Sequence, residues 1–197
     1  MRALKALAGL VLVLVFASGC LVETEATLAD PDPKTIDTRL LGNWYYAEKD
    51  EVSVVSIAPD PSQEGAYRVV FANIRPAGEK PAEFVQYGVS RTVVNGQPYL
   101  SVRRTGGNAI EQPALTIMTY DIGADGTLVL RLMSPKRVIE AIKAGMLKGT
   151  FKEGRYSDEA KITSARAELA AFIAAANRDE LFPMKMGALR KLPETSN

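Results

Sequence analysis

The stretch Phe84-Val85-Gln86-Tyr87-Gly88-Val89-Ser90-Arg91-Thr92-Val93-Val94-Asn95-Gly96-Gln97-Pro98-Tyr99-Leu100-Ser101-Val102-Arg103 decides the fold class. Asn95-Gly96 stands between two strand-like runs. Both positions of a two-residue hairpin turn need positive φ, which Asn and Gly adopt at least cost. Residues 84–94 and 98–103 therefore read as a β-hairpin. The same grammar repeats outward. Residues 115–122 and 127–133 form a second hairpin around Gly123-Ala124-Asp125-Gly126. Upstream, residues 67–74 set Tyr67, Val69 and Phe71 on one face, behind the turn cluster Asp60-Pro61-Ser62-Gln63-Glu64-Gly65. Residues 43–49 and 52–58 make a further pair, joined through Asp50-Glu51. Short strands at this regular spacing predict a mainly β, antiparallel sandwich or barrel.

After residue 133 the period changes. Ser134-Pro135 supplies an N-cap with proline at the first helical position. Val138, Ile139, Ile142 and Met146 recur at helical spacing and Gly145 is the expected C-terminal stop, giving a helix over about 135–145. A strand pair at 147–152 and 160–163 follows. Ser164 is the expected cap of a second helix, about 165–176, with Leu169, Phe172, Ile173 and Ala176 as its buried stripe. A last strand at 187–192 is placed to close the sheet.

Leu40-Leu41-Gly42-Asn43-Trp44-Tyr45 resembles the Gly-x-Trp opening of lipocalins and related calycins. The layout of a helix within the strand series, a late helix and a final strand resembles bacterial lipoproteins with a lipocalin-like domain. The resemblance implies an antiparallel barrel of about 8–9 strands over residues 37–197, closed or partly open. It also implies a basic residue packed across the Trp44 ring to seal one end. Arg190 is the candidate by position, with Lys191 and Arg178 as alternates. In such a barrel part of the aromatic set points inward. Tyr46, Tyr67, Phe71, Tyr99 and Tyr120 are the candidate ligand-lining residues.

The first twenty residues speak to location. A basic start (Arg2, Lys5), an apolar run over 6–16 and then Ala17-Ser18-Gly19-Cys20 have the form of a secretory signal, not of a membrane span. The pattern resembles a bacterial lipoprotein signal peptide ending in a lipobox. That resemblance implies a signal peptide at 1–19, cleavage before Cys20 and lipid on that sole cysteine. The expected address is the cell envelope, at the outer membrane and facing the periplasm, since Leu21 is not aspartate. Residues 20–36, acidic and holding two prolines, read as the lipidated cysteine and a flexible tether reaching roughly 50 Å when extended.

Composition excludes several chemistries. The chain has no histidine, which removes Ser-His-Asp and Cys-His catalysis and the commonest zinc ligand. Loss of Arg2 and Lys5 with the signal leaves 22 of the 24 basic residues against 23 acidic ones. Nucleic-acid binders carry a strong basic excess instead. Glu48, Asp50 and Glu51 cluster at a hairpin tip, where solvation explains them better than glycosidase chemistry. Asp121, Asp125 and Gly126 lack the ligand run of a calcium loop. Gly106-Gly107 makes no phosphate-binding motif. Residues 136–155 carry Lys136, Arg137, Lys143, Lys148, Lys152 and Arg155 against Glu140 and Glu153. This bias suits anionic head groups, and a solvated helix face explains it better.

The expectation is a membrane-anchored, non-enzymatic domain without metal or cofactor. It would bind a small apolar or amphipathic ligand in the barrel. The alternative is an interaction module with a filled core that docks onto an envelope protein or the cell wall. An aromatic-lined cavity of roughly 300 Å³ or more favours capture; a packed interior favours the module.

Overall fold

Strands and helices fall where the turn chemistry directs them. The computed structural model describes residues 22–48, 51–74, 83–107, 115–155 and 157–193. In chain order the elements are β1 (Val22–Thr24), β2 (Gly42–Glu48), β3 (Glu51–Pro59), β4 (Ala66–Ile74), β5 (Glu83–Val94), β6 (Gln97–Gly107), β7 (Leu115–Ile122), β8 (Leu128–Leu132), α1 (Pro135–Lys143), β9 (Gly149–Lys152), β10 (Glu159–Ile162), α2 (Arg166–Ala175), α3 (Arg178–Leu181) and β11 (Met184–Lys191). The β5–β6 hairpin turns on Asn95 at φ 49° and Gly96 at φ 75°, the positive pair that its sequence demanded.

β2 to β8 run as an antiparallel meander. β11 pairs with both β8 and β2, so the sheet closes into a barrel of eight strands, lipocalin-like in form. The closure removes the sheet edges that would otherwise invite pairing with other chains. The helix in the late crossover leaves the barrel intact. α1 starts as read: the Ser134 hydroxyl accepts from the Arg137 N–H at 3.3 Å, and Pro135 stands at the first turn.

Two apolar layers hold the fold. Inside the barrel lie Leu40, Trp44, Val55, Tyr67, Phe71 and their neighbours. Outside it, the crossover after β8 packs Val138, Ile139, Leu169, Ile173 and Phe182 onto Tyr99 and Ile117. β6 and β7 are therefore covered on both faces, and Leu115 to Tyr120 are buried at every position.

β9 and β10, read as a strand pair, form with β1 a separate three-stranded sheet, β1-β10-β9, over the outer face of the barrel. Two expectations need correction. Residues 22–36 are not a flexible tether. β1 pairs in parallel with β10, Leu28 is buried and its N–H donates to Ser101 Oγ at 3.2 Å, and Thr116 Oγ1 donates to the Val22 carbonyl at 2.9 Å. The folded domain thus begins by Val22, not near residue 37. Ser164 does not cap α2. Its hydroxyl accepts from the Lys148 N–H at 2.8 Å, and the Glu168 carboxylate instead reaches back to the Ala165 N–H at 3.2 Å. The signal segment and Cys20 lie outside the described residues.

Candidate functional site

The barrel interior is built by strand alternation. Directly opposed residues of paired strands share a face, so one inward residue per strand fixes the rest. On β4 the inward set is Tyr67, Val69, Phe71 and Asn73; on β5 it is Val85, Tyr87, Val89 and Arg91; on β6 it is Leu100, Val102 and Arg104.

One end is sealed by the segment ahead of β2. A 3-10 turn at Thr38–Leu40 places Leu40 under the barrel, and the Trp44 Nε1–H donates to the Leu40 carbonyl at 2.8 Å. Lys191 Nζ lies 5.7 Å from the centroid of the Trp44 ring. The expected partner, Arg190, is not there. Arg190 is opposed to Tyr45 and Lys191 to Trp44, so the pairing turns Arg190 outward and Lys191 onto the indole. Arg178, the other alternate, is bound elsewhere. It donates to Thr119 Oγ1, the Tyr120 carbonyl and Asp121 Oδ1, and so ties α3 to β7.

Asp37 organises this seal. Its carboxylate takes Arg39 Nε at 2.9 Å and Nη2 at 2.7 Å, and the Tyr120 hydroxyl donates to Oδ2 at 2.7 Å. Arg91 Nε donates to that same hydroxyl at 2.8 Å, and Arg91 Nη1 donates to the Thr35 carbonyl at 2.7 Å. The Asp37 N–H donates to the Tyr67 hydroxyl at 2.6 Å. The hydrogen bonds from Arg39 outweigh the effect of burial and hold the Asp37 pKa down at about 2. Burial, together with donation to Asp37, pushes the Tyr120 hydroxyl up.

Above the seal lies a cavity of about 80 Å³. Its wall is apolar: Val55, Ile57, Leu100, Val102, Met118 and Leu130 are typical, with the rings of Tyr67, Phe71 and Tyr87. The volume falls short of the roughly 300 Å³ that favours capture over a packed interior. It exceeds by several-fold the 10–15 Å³ or so that one water needs, and apolar voids of this kind stay dry. Gly187, at the irregularity in the β11–β8 pairing, also lines it. A Cβ there would stand 2.7 Å from the Tyr46 ring, so the glycine makes room for that ring.

The aromatic candidates divide. Tyr67 and Phe71 line the cavity. Tyr46 packs against the interior beside Gly187 but is not part of the cavity wall. Tyr120 faces inward, yet its hydroxyl is committed to the seal. Tyr99 faces outward. Its ring lies 5.5 Å from that of Phe182 in the second layer. Tyr87 was not among the candidates and belongs to the wall; burial pushes its hydroxyl up to about 12, an effect that nearby Arg104 partly offsets.

The far end of the interior is polar. Ser53 and Asn73 are opposed across β3 and β4, 5 % and 2 % exposed. Arg104 is opposed to Tyr87. Asn73 Nδ2, Asn73 Oδ1 and Arg104 Nη2 are buried without a hydrogen-bond partner among the described residues. Alternation carried two residues past Phe71, and two past Val102, finds both side chains in the sequence.

Elsewhere the structure gives little chemistry. Of the six basic residues of the stretch 136–155, Arg137 pairs with Glu140 and Glu180, Lys143 with Glu153, and Lys148 with Glu168. Asp121 is held by Arg131 and Arg178, and Asp125 accepts from Thr127 in its turn. Residue 50 and the side chains of Glu48 and Glu51 lie outside what is described. Among the described residues no cluster of three or more metal-ligating side chains occurs, and no helix is long and apolar enough to cross a membrane. Comparison of the chain with protein-family models, curated proteins and solved structures returns no match.

Proposed function

We propose that this domain captures a small apolar or amphipathic molecule in its barrel, without converting it, at a membrane to which lipid on Cys20 anchors the chain. The observation that carries the reading is the apolar cavity above a sealed end. An unfilled void of about 80 Å³ forfeits roughly 2 kcal/mol at about 24 cal/mol per Å³. A slim apolar chain entering the void regains that contact and buries its own surface at about 25 cal/mol per Å². The modest volume restricts the ligand to something narrow, unless wall side chains move aside.

The test is native mass spectrometry of the protein purified from its own membrane. A reproducible non-covalent adduct that disappears on denaturation supports capture and gives the ligand mass. A Val102→Phe variant, which fills the wall, is expected to keep its fold and lose the adduct. An empty wild-type protein overturns the reading.

The alternative, an envelope or cell-wall docking module, draws support from a different place. Val52 and Ile74 are opposed on the outer face of the barrel and are 38 % and 50 % exposed. Crosslinking from that face in the native envelope tests it.

A further inference from the structure

Asn73 and Arg104 stand at the same end of the barrel interior with unmet hydrogen-bonding capacity. Asn73 is the last residue but one of β4, and Arg104 the fourth from the end of β6; both strands run out at the end opposite the Asp37 seal. Asn73 is 2 % exposed, continues the inward face of Tyr67, Val69 and Phe71, and has a donor and an acceptor without partners among the described residues. Arg104 continues the inward face of Leu100 and Val102, and its buried Nη2 has nothing to donate to among the described residues. Buried polar groups are almost always paired, and each exception calls for a reason. The contrast within this barrel is informative. The inward Arg91 at the sealed end is satisfied by Tyr120 and Thr35. The other inward arginine is not.

We propose that these atoms receive the head of the captured ligand, and that the ligand is an amphipathic acid with a slim apolar chain. The first methylenes of the chain enter the cavity of about 80 Å³, and a longer chain is admitted only as wall side chains move aside. The carboxylate of the ligand meets Arg104, and a hydroxyl close to the carboxylate meets Asn73. The chemistry of the two side chains sets the two groups. A guanidinium is always charged and only donates, so it selects an anionic acceptor. A carboxamide with both atoms free selects a group that donates and accepts, as a hydroxyl does. The apolar wall between them and the seal, broken only by tyrosine hydroxyls, leaves nothing charged for the rest of the ligand to meet. This inference deepens the capture reading and rests on it.

Calorimetric titration of the full chain, first extracted of resident ligand, with decanol, decanoate and 3-hydroxydecanoate tests it. Decanoate is expected to bind about tenfold or more tighter than decanol, and 3-hydroxydecanoate about fivefold tighter again. Arg104→Met removes the first difference and spares decanol. Asn73→Leu removes only the second. Should either variant fail to fold, a pH series on the wild type replaces it. Decanoate affinity is expected to fall as the acid is protonated below about pH 5, while decanol affinity stays level. If decanol binds as tightly as decanoate, or Arg104→Met keeps the acid preference, the assignment of the head group is overturned and capture stands. If none of the three binds, the head-group assignment is overturned, and capture stands or falls on the native mass spectrum.

Discussion

Lys191 and Trp44 are directly opposed across β11 and β2, and the lysine Nζ stands 5.7 Å from the centroid of the indole. Trp44 is 2 % exposed and is the single tryptophan of the chain, so this pair can be read optically. Lys191→Ala is expected to cost about 0.5–1 kcal/mol in a denaturant melt and to shift the Trp44 emission to the red. Arg190→Ala, one residue away and facing outward, is expected to change neither by more than about 0.5 kcal/mol.

The Asp37 seal predicts an acid limb. Its folded-state pKa is depressed from an unfolded value of 3.8 to about 2, chiefly by hydrogen bonds from Arg39. Its contribution is therefore complete above about pH 4 and is lost as the pH falls towards 2. In Asp37→Asn, thermal stability measured from pH 5 to pH 2 is expected to fall less steeply than in the wild type. A parallel slope in the two proteins refutes the assignment.

Tyr120 and Asp37 share one hydrogen bond at 2.7 Å, so their substitutions should not add. Tyr120→Phe alone leaves Arg91 Nε and Asp37 Oδ2 each short of a partner, at about 1–3 kcal/mol. The double variant Tyr120→Phe, Asp37→Asn is expected to be more stable than the sum of the single losses. Urea denaturation of all four proteins measures the coupling.

Leu28 distinguishes a tether from a structural segment. A tether residue could be truncated without effect. Leu28 is 5 % exposed among Tyr99, Ile117 and Val22, so Leu28→Ala is expected to lower stability by about 2–4 kcal/mol. A loss below about 0.5 kcal/mol in equilibrium unfolding would restore the tether.

Gly187→Ala places a methyl group 2.7 Å from the Tyr46 ring on the rim of the cavity. The ring must move, which is expected to cost about 1–3 kcal/mol. Ring-proton shifts of Tyr46 in an NMR spectrum report the displacement; an unshifted ring would mean that the backbone yields instead.

The barrel was legible because its signals are local. Asn95-Gly96 names its own turn, and Ser134-Pro135 names the start of α1. The exceptions are those that only tertiary pairing creates. β1 is three residues long and owes its conformation to β10, so no period marks it. Tyr99 illustrates a different limit. Alternation says that Tyr99 and Leu100 face opposite ways, but both are buried because a second layer covers β6, and nothing local says which side is the interior. Lys191 over Arg190 was one step of register from the expectation, and register is set by the β11–β8 irregularity between Lys185 and Ala188. Asn73 and Arg104 were within reach. They continue apolar faces already visible, and they escape notice only because a polar residue at a strand end reads as the approach to a loop.

The pairing of Val22 with Ala160 bears on how the domain would be carried. With lipid on Cys20, a single residue would separate the anchor from a strand stitched into the fold. Such a chain has no slack. Under the proposed anchoring the domain would sit close against the bilayer, without the reach of roughly 50 Å that an extended tether would give it.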